Sequence, residues 1–300
     1  MSQPQAELVL DVRNGTGESP VWDAREQALY WVDIPWRRLY RWQPGGKAQC
    51  WEAPQMIACI ARRRSATNEW IAGLETGVFT LAPQADGTLS TTLIAPVAHA
   101  MTPMRFNDGR CDRQGRFWAG TMALDMAGAH RVGRVYRFDG ASSSPVAAQF
   151  DDFIVPNGLA FSPDGRTMYL SDSHPVVQKV WAFDYDTDTG MPTHRRLFAD
   201  MQPLPGRPDG AAIDTDGCYW ICGNDAGLVH RFTPDGKLDR SLAVPVKKPA
   251  MCAFGGANLD TLYVTSIRPD NIDLSDQPLA GGVFALRPGA QGVPEPEAVL

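Results

Sequence analysis

Three short polar motifs in the chain carry side chains that could bind a metal ion and transfer protons. They are N-D-G at 107–109, N-G at 157–158 and D-G at 209–210, and each precedes an aromatic residue by eleven or twelve positions. Carboxylate and amide oxygens are the ligands that calcium, magnesium and manganese prefer. Asn-Gly and Asp-Gly pairs are also common turn formers without any chemistry. Each motif alone therefore indicates a turn, and its context must decide whether it belongs to a site.

That context is a pair of strand-like patterns that recur six times along the chain. In the first, an aromatic residue is followed by an aliphatic one and by a small or polar one; its copies begin at Trp31, Trp70, Trp118, Tyr169, Trp220 and Tyr263. In the second, an aliphatic residue usually precedes an aromatic one; its copies begin at Leu39, Val78, Val135, Val180, Val229 and Val283. Copies of the first pattern lie 39 to 51 residues apart, which fits one four-stranded propeller blade. The sequence therefore predicts an all-β fold, a six-bladed β-propeller of four-stranded antiparallel sheets.

The predicted propeller is a single domain over residues 1–300. No helix-period segment, linker or low-complexity stretch divides the chain. A strand-like run at 6–12 precedes the first repeat and is expected to pair with the strand near Val283. This N-terminal strand would complete the last blade and close the ring.

The equivalence of the repeats predicts which polar side chains meet. The innermost strand of each blade lines the central channel, so the residues that begin these strands should lie around one mouth. The predicted positions are Glu18, Ile57, Asn107, Asn157, Asp209, and Ala250 or Met251. Among them Glu18, Asn157 and Asp209 supply two carboxylates and one amide carbonyl, a set that suits a hard divalent cation.

An arginine is expected at the same mouth. Arg105 precedes Asn107 by two residues, and side chains two apart on an extended segment share a face. Arg105 could therefore hold a hydroxylated or anionic substrate beside the cation. A surface arginine has the same spacing, so this pattern alone does not decide between the two interpretations.

Composition and charge exclude several classes of protein. The net charge of −6 argues against a nucleic-acid partner, because such proteins usually present a basic surface. No stretch reaches the ~18 apolar residues of a membrane helix, so no membrane partner is expected. The polar N-terminus lacks the pattern of a secretory signal, and a cytoplasmic protein is expected. The sequence contains no G-x-S-x-G or H-E-x-x-H motif, and its five histidines lack the spacing of zinc ligands.

Eight longer motifs follow one another in order between residues 17 and 265. They are GESPVW at 17–22, YWVDI at 30–34, RFNDG at 105–109, GRFWAGTM at 115–122, NGL at 157–159, PDG at 208–210, FGGAN at 254–258 and LYVT at 262–265. This series resembles the family of gluconolactonase, regucalcin (senescence marker protein) and luciferin-regenerating enzyme, over nearly the whole chain. The resemblance implies a six-bladed propeller with one divalent metal ion, which could be calcium, zinc, manganese, magnesium or iron.

The resemblance also implies roles for individual residues. Glu18, Asn157 and Asp209 match the metal ligands of the family, and Asp209 also matches the residue proposed as its general base. Arg105 and Asn107 match residues that contact the substrate.

One position departs from the pattern of the animal members. Where they hold the substrate with a glutamate, this chain has Ala129, and the neighbouring His130 or Arg131 is expected to replace that contact.

These observations predict a metal-dependent sugar lactonase. Its substrate would be an aldonolactone, either gluconolactone-like or a pentonolactone, and its product the aldonic acid. Two alternatives stay open: a phosphotriesterase or other lactone hydrolase with the same site, and a calcium-binding regulatory or scaffold propeller without enzymatic activity. The sequence does not specify the sugar, the ring size of the lactone, the physiological metal or the oligomeric state.

Overall fold

All regular secondary structure in this protein is β-strand. A computed structural model describes residues 5–66, 68–140 and 147–300. Within these ranges the chain forms 24 strands, and the same residues contain no helix that could cross a membrane. The strands form six four-stranded antiparallel sheets around a central channel, which confirms the six-bladed β-propeller that the sequence predicts.

The first three blades are each built from four consecutive strands. Blade 1 contains β2 (Gly17–Asp23), β3 (Ala28–Asp33), β4 (Arg38–Trp42) and β5 (Gln49–Glu52). Blade 2 contains β6 (Cys59–Arg62), β7 (Trp70–Gly73), β8 (Gly77–Pro83) and β9 (Leu89–Pro96). Blade 3 contains β10 (Met104–Cys111), β11 (Phe117–Ala123), β12 (Gly133–Phe138) and β13 (Ala148–Phe153).

Blades 4 and 5 repeat this order, and blade 6 joins the two ends of the chain. Blade 4 contains β14 (Pro156–Phe161), β15 (Thr167–Asp172), β16 (Lys179–Asp186) and β17 (Met191–Asp200). Blade 5 contains β18 (Arg207–Ile213), β19 (Tyr219–Asn224), β20 (Leu228–Phe232) and β21 (Leu238–Ala243). Blade 6 contains β22 (Pro249–Gly255), β23 (Thr261–Ser266), β24 (Val283–Leu286) and β1 (Glu7–Leu10). The β1–β24 pairing brings an N-terminal strand to the outer edge of the last sheet and closes the ring.

The two sequence patterns mark the second and third strands of every blade. The aromatic residue that begins the first pattern is buried in all six blades, with at most 5% of its surface exposed. Aromatic rings also pack across the joints between blades, as in the contact of Tyr30 with Trp70, whose ring centroids are 4.3 Å apart. Large aromatic rings bury the faces of the wedge-shaped sheets, which is why the patterns recur with the period of a blade.

The first strand of each blade lies innermost, and these strands contact one another around the channel. Five of the six have an irregular register at their beginning, typical of a β-bulge, a feature that re-aims side chains and is frequent beside active sites. These irregularities lie between Glu18 and Val21, Phe106 and Gly109, Asn157 and Ala160, Pro208 and Ala211, and Pro249 and Cys252. The β6–β7 pair keeps a continuous register, and the apolar Ile57 lies just before it.

A C-terminal segment crosses the end of the channel opposite the beginnings of the innermost strands. Glu295 forms an ion pair of 3.0 Å with Arg110, which lies farther along β10 than Asn107. Arg63 donates a hydrogen bond of 2.6 Å to the carbonyl oxygen of Leu300. The channel is therefore covered at this end, and a small molecule must enter from the other mouth.

A buried carboxylate fixes the hairpin turn between β18 and β19. Asp214 is fully buried, and its Oδ1 accepts hydrogen bonds from the backbone N–H groups of Asp216 and Cys218. Its Oδ2 accepts from Trp220 Nε1 at 2.9 Å and from Arg231 Nη2 at 2.7 Å. One side chain thus satisfies several buried donors at once.

We predict that Asp214→Ala lowers the free energy of unfolding by about 2–4 kcal/mol, because it leaves the buried indole N–H of Trp220 without its acceptor and removes the fully buried member of the three carboxylates that contact Arg231. Urea denaturation provides the measurement. The matched control is Asp216→Ala, since the Asp216 side chain is 72% exposed although it also contacts Arg231. The control should change stability by less than about 0.5 kcal/mol. Equal effects of the two substitutions would contradict the role assigned to Asp214.

Candidate functional site

Polar side chains converge where the innermost strands begin. They line an open cavity of about 190 Å³ at the uncovered mouth of the channel. All five site residues predicted from the sequence line this cavity, namely Glu18, Arg105, Asn107, Asn157 and Asp209. The other lining residues are Thr16, Met122, Met126, Val155, Ser173, Arg207, Pro208, Asn224 and Ile267. The structure therefore brings together side chains from blades 1, 3, 4, 5 and 6.

Asp209 is held between two amide side chains. Its Oδ1 accepts a hydrogen bond of 2.5 Å from Asn157 Nδ2, and its Oδ2 accepts one of 2.5 Å from Asn224 Nδ2. Burial raises the pKa of Asp209 to about 7, although the two amides and the positive charge of Arg207 act in the opposite direction. The amides fix the orientation of the carboxylate, and the water-poor surroundings favour its protonation.

Glu18 brings a second carboxylate to the same cavity. Burial, followed by the negative charges of Asp209 and Asp108, raises the pKa of Glu18 well above its ordinary value. Two carboxylates that face one cavity repel each other unless a proton or a cation intervenes. The electrostatics of the mouth therefore favour either a bound cation or the protonation of one carboxylate.

A buried oxygen atom without a partner supports the same conclusion. Within the described part of the chain, Oδ1 of Asn224, a residue that lines the cavity, is buried and accepts no hydrogen bond. Leaving such an atom unpaired costs about 1–3 kcal/mol. Glu18 and Asp209 supply carboxylate oxygens and Asn224 an amide oxygen, which form a hard donor set, although the described residues contain no cluster of three His, Cys, Asp or Glu side chains. These donors would suit an oxygen-liganded divalent cation.

The amide of Asn157 is turned differently from the sequence-based expectation. Its nitrogen donates to Asp209 and to Ser173 Oγ, at 2.5 and 3.0 Å, and its oxygen accepts from the N–H of Gly158. The carbonyl oxygen that was expected to face a cation is therefore engaged by the backbone. The carboxylate of Asp209 attracts the amide N–H group, which explains this orientation.

Arg105 and Asn107 form one unit at the edge of the cavity. Arg105 Nη1 donates to Asn107 Oδ1 at 2.9 Å and to the carbonyl oxygen of Phe106 at 2.7 Å. Asn107 Nδ2 donates in turn to the carbonyl oxygen of Pro156 at 3.1 Å. No described residue accepts a hydrogen bond from Nε or Nη2 of Arg105, so donors remain for a ligand in the cavity.

Besides Thr16, three polar residues of the mouth were not predicted from the sequence. Ser173 and Asn224 lie at the ends of the second strands of blades 4 and 5, which return to the mouth because they run antiparallel to the innermost strands. Arg207 lies two residues before Asp209, the same spacing that indicated Arg105. Extending the spacing rule to every blade, and to both of its inner strands, would have found all three.

The expected replacements for the missing glutamate do not line the cavity. His130 hydrogen bonds to Asp125 at 3.2 Å, and Arg131 donates to the carbonyl oxygen of Asp152 at 3.2 Å. Met126 lines the cavity instead, and it packs with Ala129 against a small apolar cluster. The lining of the cavity therefore does not support a substrate contact by His130 or Arg131, because the loop places the apolar Met126 at the mouth.

A larger cavity lies elsewhere, on the outer side of the joint between blades 1 and 6. It measures about 510 Å³, and its lining includes Trp42, Tyr263, Glu7 and Arg287. Its single carboxylate and single guanidinium do not match the several convergent polar groups of the channel mouth. Another cavity, of about 570 Å³, is polar, but its carboxylates Asp216 and Asp260 are exposed. The convergence of buried polar groups, rather than cavity size, therefore identifies the candidate site.

Comparison with known proteins identifies the family. The sequence profile described as SMP-30/Gluconolactonase/LRE-like region matches residues 16–268 of the chain. The chain belongs to this family. The chain is 41% identical over 286 residues to a protein from Pseudomonas putida named 6-deoxy-6-sulfogluconolactonase, covering 93% of this chain and 94% of that one. It is also 36% identical over 303 residues to regucalcin from Gallus gallus, covering 98% of both chains.

A solved structure has the same fold over the full length of the chain. It is a calcium-binding protein, regucalcin, from Agrobacterium tumefaciens, with a TM-score of 0.89 and 28% sequence identity. The alignment covers 100% of both chains. The propeller and the order of its blades are thus shared by a family member.

We predict that the protein binds one divalent cation and that Glu18→Gln weakens this binding by at least about 10-fold, since it removes one of two charged ligands. Isothermal titration of the metal-stripped protein with calcium and with manganese measures both affinities. The control is Glu52→Gln, because the Glu52 side chain is 58% exposed and lies at the outer strand of blade 1. Unchanged affinity in the Glu18 variant would remove Glu18 from the cation site.

Proposed function

We propose that this protein is a metal-dependent sugar lactonase that hydrolyses an aldonolactone to the aldonic acid. The observation that carries the proposal is the convergence of Glu18, Asn157 and Asp209 with Arg105 in one cavity. The family relationship supports lactone hydrolysis, because a relative with 41% identity is named a sulfogluconolactonase. We include gluconolactone-like lactones and pentonolactones in the substrate class.

Glu18, Asn157 and Asp209 would hold the cation, and Asn157 would turn its amide from the orientation that donates to Asp209 so that its carbonyl oxygen faces the cation. When bound, a divalent cation polarises the carbonyl of the lactone as a Lewis acid and favours the ionised form of the Asp209 carboxylate. The donor set of the mouth suits calcium, magnesium or manganese better than zinc or iron.

Asp209 acts as the general base in this proposal. It removes a proton from a water molecule while the water oxygen bonds to the carbonyl carbon of the lactone. The bond between that carbon and the ring oxygen then breaks, and the proton passes from Asp209 to the leaving oxygen. The hydrogen bonds from Asn157 and Asn224 orient the carboxylate, and a bound cation would keep it ionised so that it can accept the proton.

Arg105 and Asn107 orient the sugar. The guanidinium retains donors that no described residue accepts, and hydroxyl oxygens of the lactone can accept them. Asn107 fixes the guanidinium through its own hydrogen bond of 2.9 Å. A positioned substrate lowers the entropic part of the barrier.

A calcium-binding protein without catalytic activity is the second candidate, since the regucalcin from Agrobacterium tumefaciens is described as calcium-binding. Calcium binding alone does not require an arginine with unused donors beside the ligands. We therefore favour the enzyme.

We also propose that the protein works in the cytoplasm, with a small sugar lactone as its partner. All six cysteines are unpaired, and five are buried. Unpaired cysteines are typical of a reducing compartment.

We predict that Asp209→Asn lowers kcat by about 10²–10⁴-fold at saturating metal, because it removes the proton acceptor while keeping one oxygen. Arg105→Ala should mainly raise KM and leave metal affinity unchanged. Initial rates of acid release from gluconolactone, galactonolactone, xylonolactone and arabinonolactone, corrected for spontaneous hydrolysis, provide the measurement.

The control for these variants is Asp125→Asn, because Asp125 has an exposed side chain and does not line the cavity. It should keep wild-type kinetics. Full activity of Asp209→Asn at saturating metal would remove Asp209 from the chemistry. A protein that binds calcium but accelerates hydrolysis of none of these lactones would support the second candidate instead.

A further inference from the structure

Arg207 is a charged residue of the mouth for which the hydrolysis of a neutral sugar lactone has no need. It begins β18, two residues before Asp209, and it lines the same cavity. Two residues along a strand correspond to roughly 7 Å, so Arg207 lies farther out toward the rim than Asp209. Its side chain is 22% exposed.

The guanidinium of Arg207 is held in place by hydrogen bonds that leave some of its N–H donors unused. Its Nε donates to Asp225 Oδ2 at 2.5 Å, and its Nη1 approaches the carbonyl oxygen of Ser173 at 3.4 Å. Among the residues that the structure describes, none accepts a hydrogen bond from Nη2. The Asp225 carboxylate thus fixes the planar fork of N–H donors that the Arg207 guanidinium presents, without using all of those donors.

The rim around Arg207 carries an excess of positive charge. Lys248 pairs with the other oxygen of Asp225, so two cations share one carboxylate. The floor of the cavity has the opposite character, because Glu18 and Asp209 lie there. An anionic group can therefore bind at the rim and would be repelled by the carboxylates of the floor.

We propose that Arg207, supported by Asp225 and Lys248, forms a subsite for an anionic substituent at the end of the aldonolactone remote from its carbonyl. The chemistry of the fork suits a tetrahedral oxyanion, such as a sulfonate or a phosphate. A substrate that places its lactone carbonyl at the floor and its anionic group at the rim would bind in a single orientation. This inference rests on the proposed lactonase function, and it specifies the substrate class of that site.

The test compares lactones that differ only in this substituent. The wild-type protein should have a higher kcat/KM for 6-deoxy-6-sulfogluconolactone or 6-phosphogluconolactone than for gluconolactone, and comparing the two charged lactones distinguishes sulfonate from phosphate. Arg207→Gln should lower the ratio of charged to neutral kcat/KM by about 10- to 100-fold, the effect of losing a hydrogen bond between charged groups. Arg207→Lys keeps the charge but loses the fork, and it should give an intermediate ratio.

Two further variants separate this subsite from a general effect of charge. Arg287→Gln removes an arginine outside the mouth, which pairs with Asp260, and should leave the ratio unchanged. Asp225→Ala removes the carboxylate that holds the Arg207 guanidinium and should lower the ratio, although less than Arg207→Gln does, because the charge of Arg207 remains. A general effect of charge predicts a higher ratio instead, since the rim becomes more positive.

Binding of the acid products gives a readout that does not depend on turnover. Titration calorimetry should find 6-phosphogluconate or 6-deoxy-6-sulfogluconate bound more tightly than gluconate, with the difference lost in Arg207→Gln. Equal kcat/KM and equal product binding for charged and neutral compounds would overturn the subsite while leaving the lactonase function intact. Preferential binding of the charged acids without hydrolysis of any lactone would support the subsite and reject the lactonase function.

Discussion

The repulsion between two carboxylates in one cavity is the constraint on which the mouth of this propeller depends. Glu18 and Asp209 come from different blades, and both have raised pKa values because they are buried close to other negative charges. Such a pair is costly to hold without a positive charge beside it. The amides of Asn157 and Asn224 and the guanidiniums of Arg105 and Arg207 reduce that cost, and a bound cation would remove most of it. The repulsion between the two carboxylates is thus the feature of the site that a bound cation would relieve.

The propeller provides the rigid frame that holds these charged side chains close together. Each blade contributes an innermost strand whose beginning faces the same mouth, and β-bulges lie at the strands that carry Glu18, Asn107, Asn157 and Asp209. Aromatic rings bury the interfaces between the sheets, so the four side chains keep their relative positions. Blade 2 lacks the bulge and contributes the apolar Ile57. The asymmetry of the site follows from these local differences within a regular repeat.

The sequence predicts the fold and the centre of the site because both follow from the repeat. Equivalent positions in a propeller must lie on one ring, so spacing alone brings Glu18, Asn157 and Asp209 together. The spacing of the first strands did not predict Asn224 and Ser173, because these residues belong to the second strands, whose ends reach the mouth only through antiparallel pairing.

The conformation of the loop around Ala129 could not be predicted from the repeat. Ala129 and its neighbours lie outside the repeat, and nothing in their spacing indicates that Met126, rather than His130 or Arg131, lines the cavity.

In the proposed mechanism, a cation at this mouth enables lactone hydrolysis. The initial rate of gluconolactone hydrolysis by metal-stripped protein tests this dependence as a divalent cation is added back, at protein concentrations well above the dissociation constant. We expect a rate near the spontaneous background without metal, followed by a linear rise that ends at one equivalent per chain. A metal-stripped protein with full activity, or a rate that no cation restores, would contradict it.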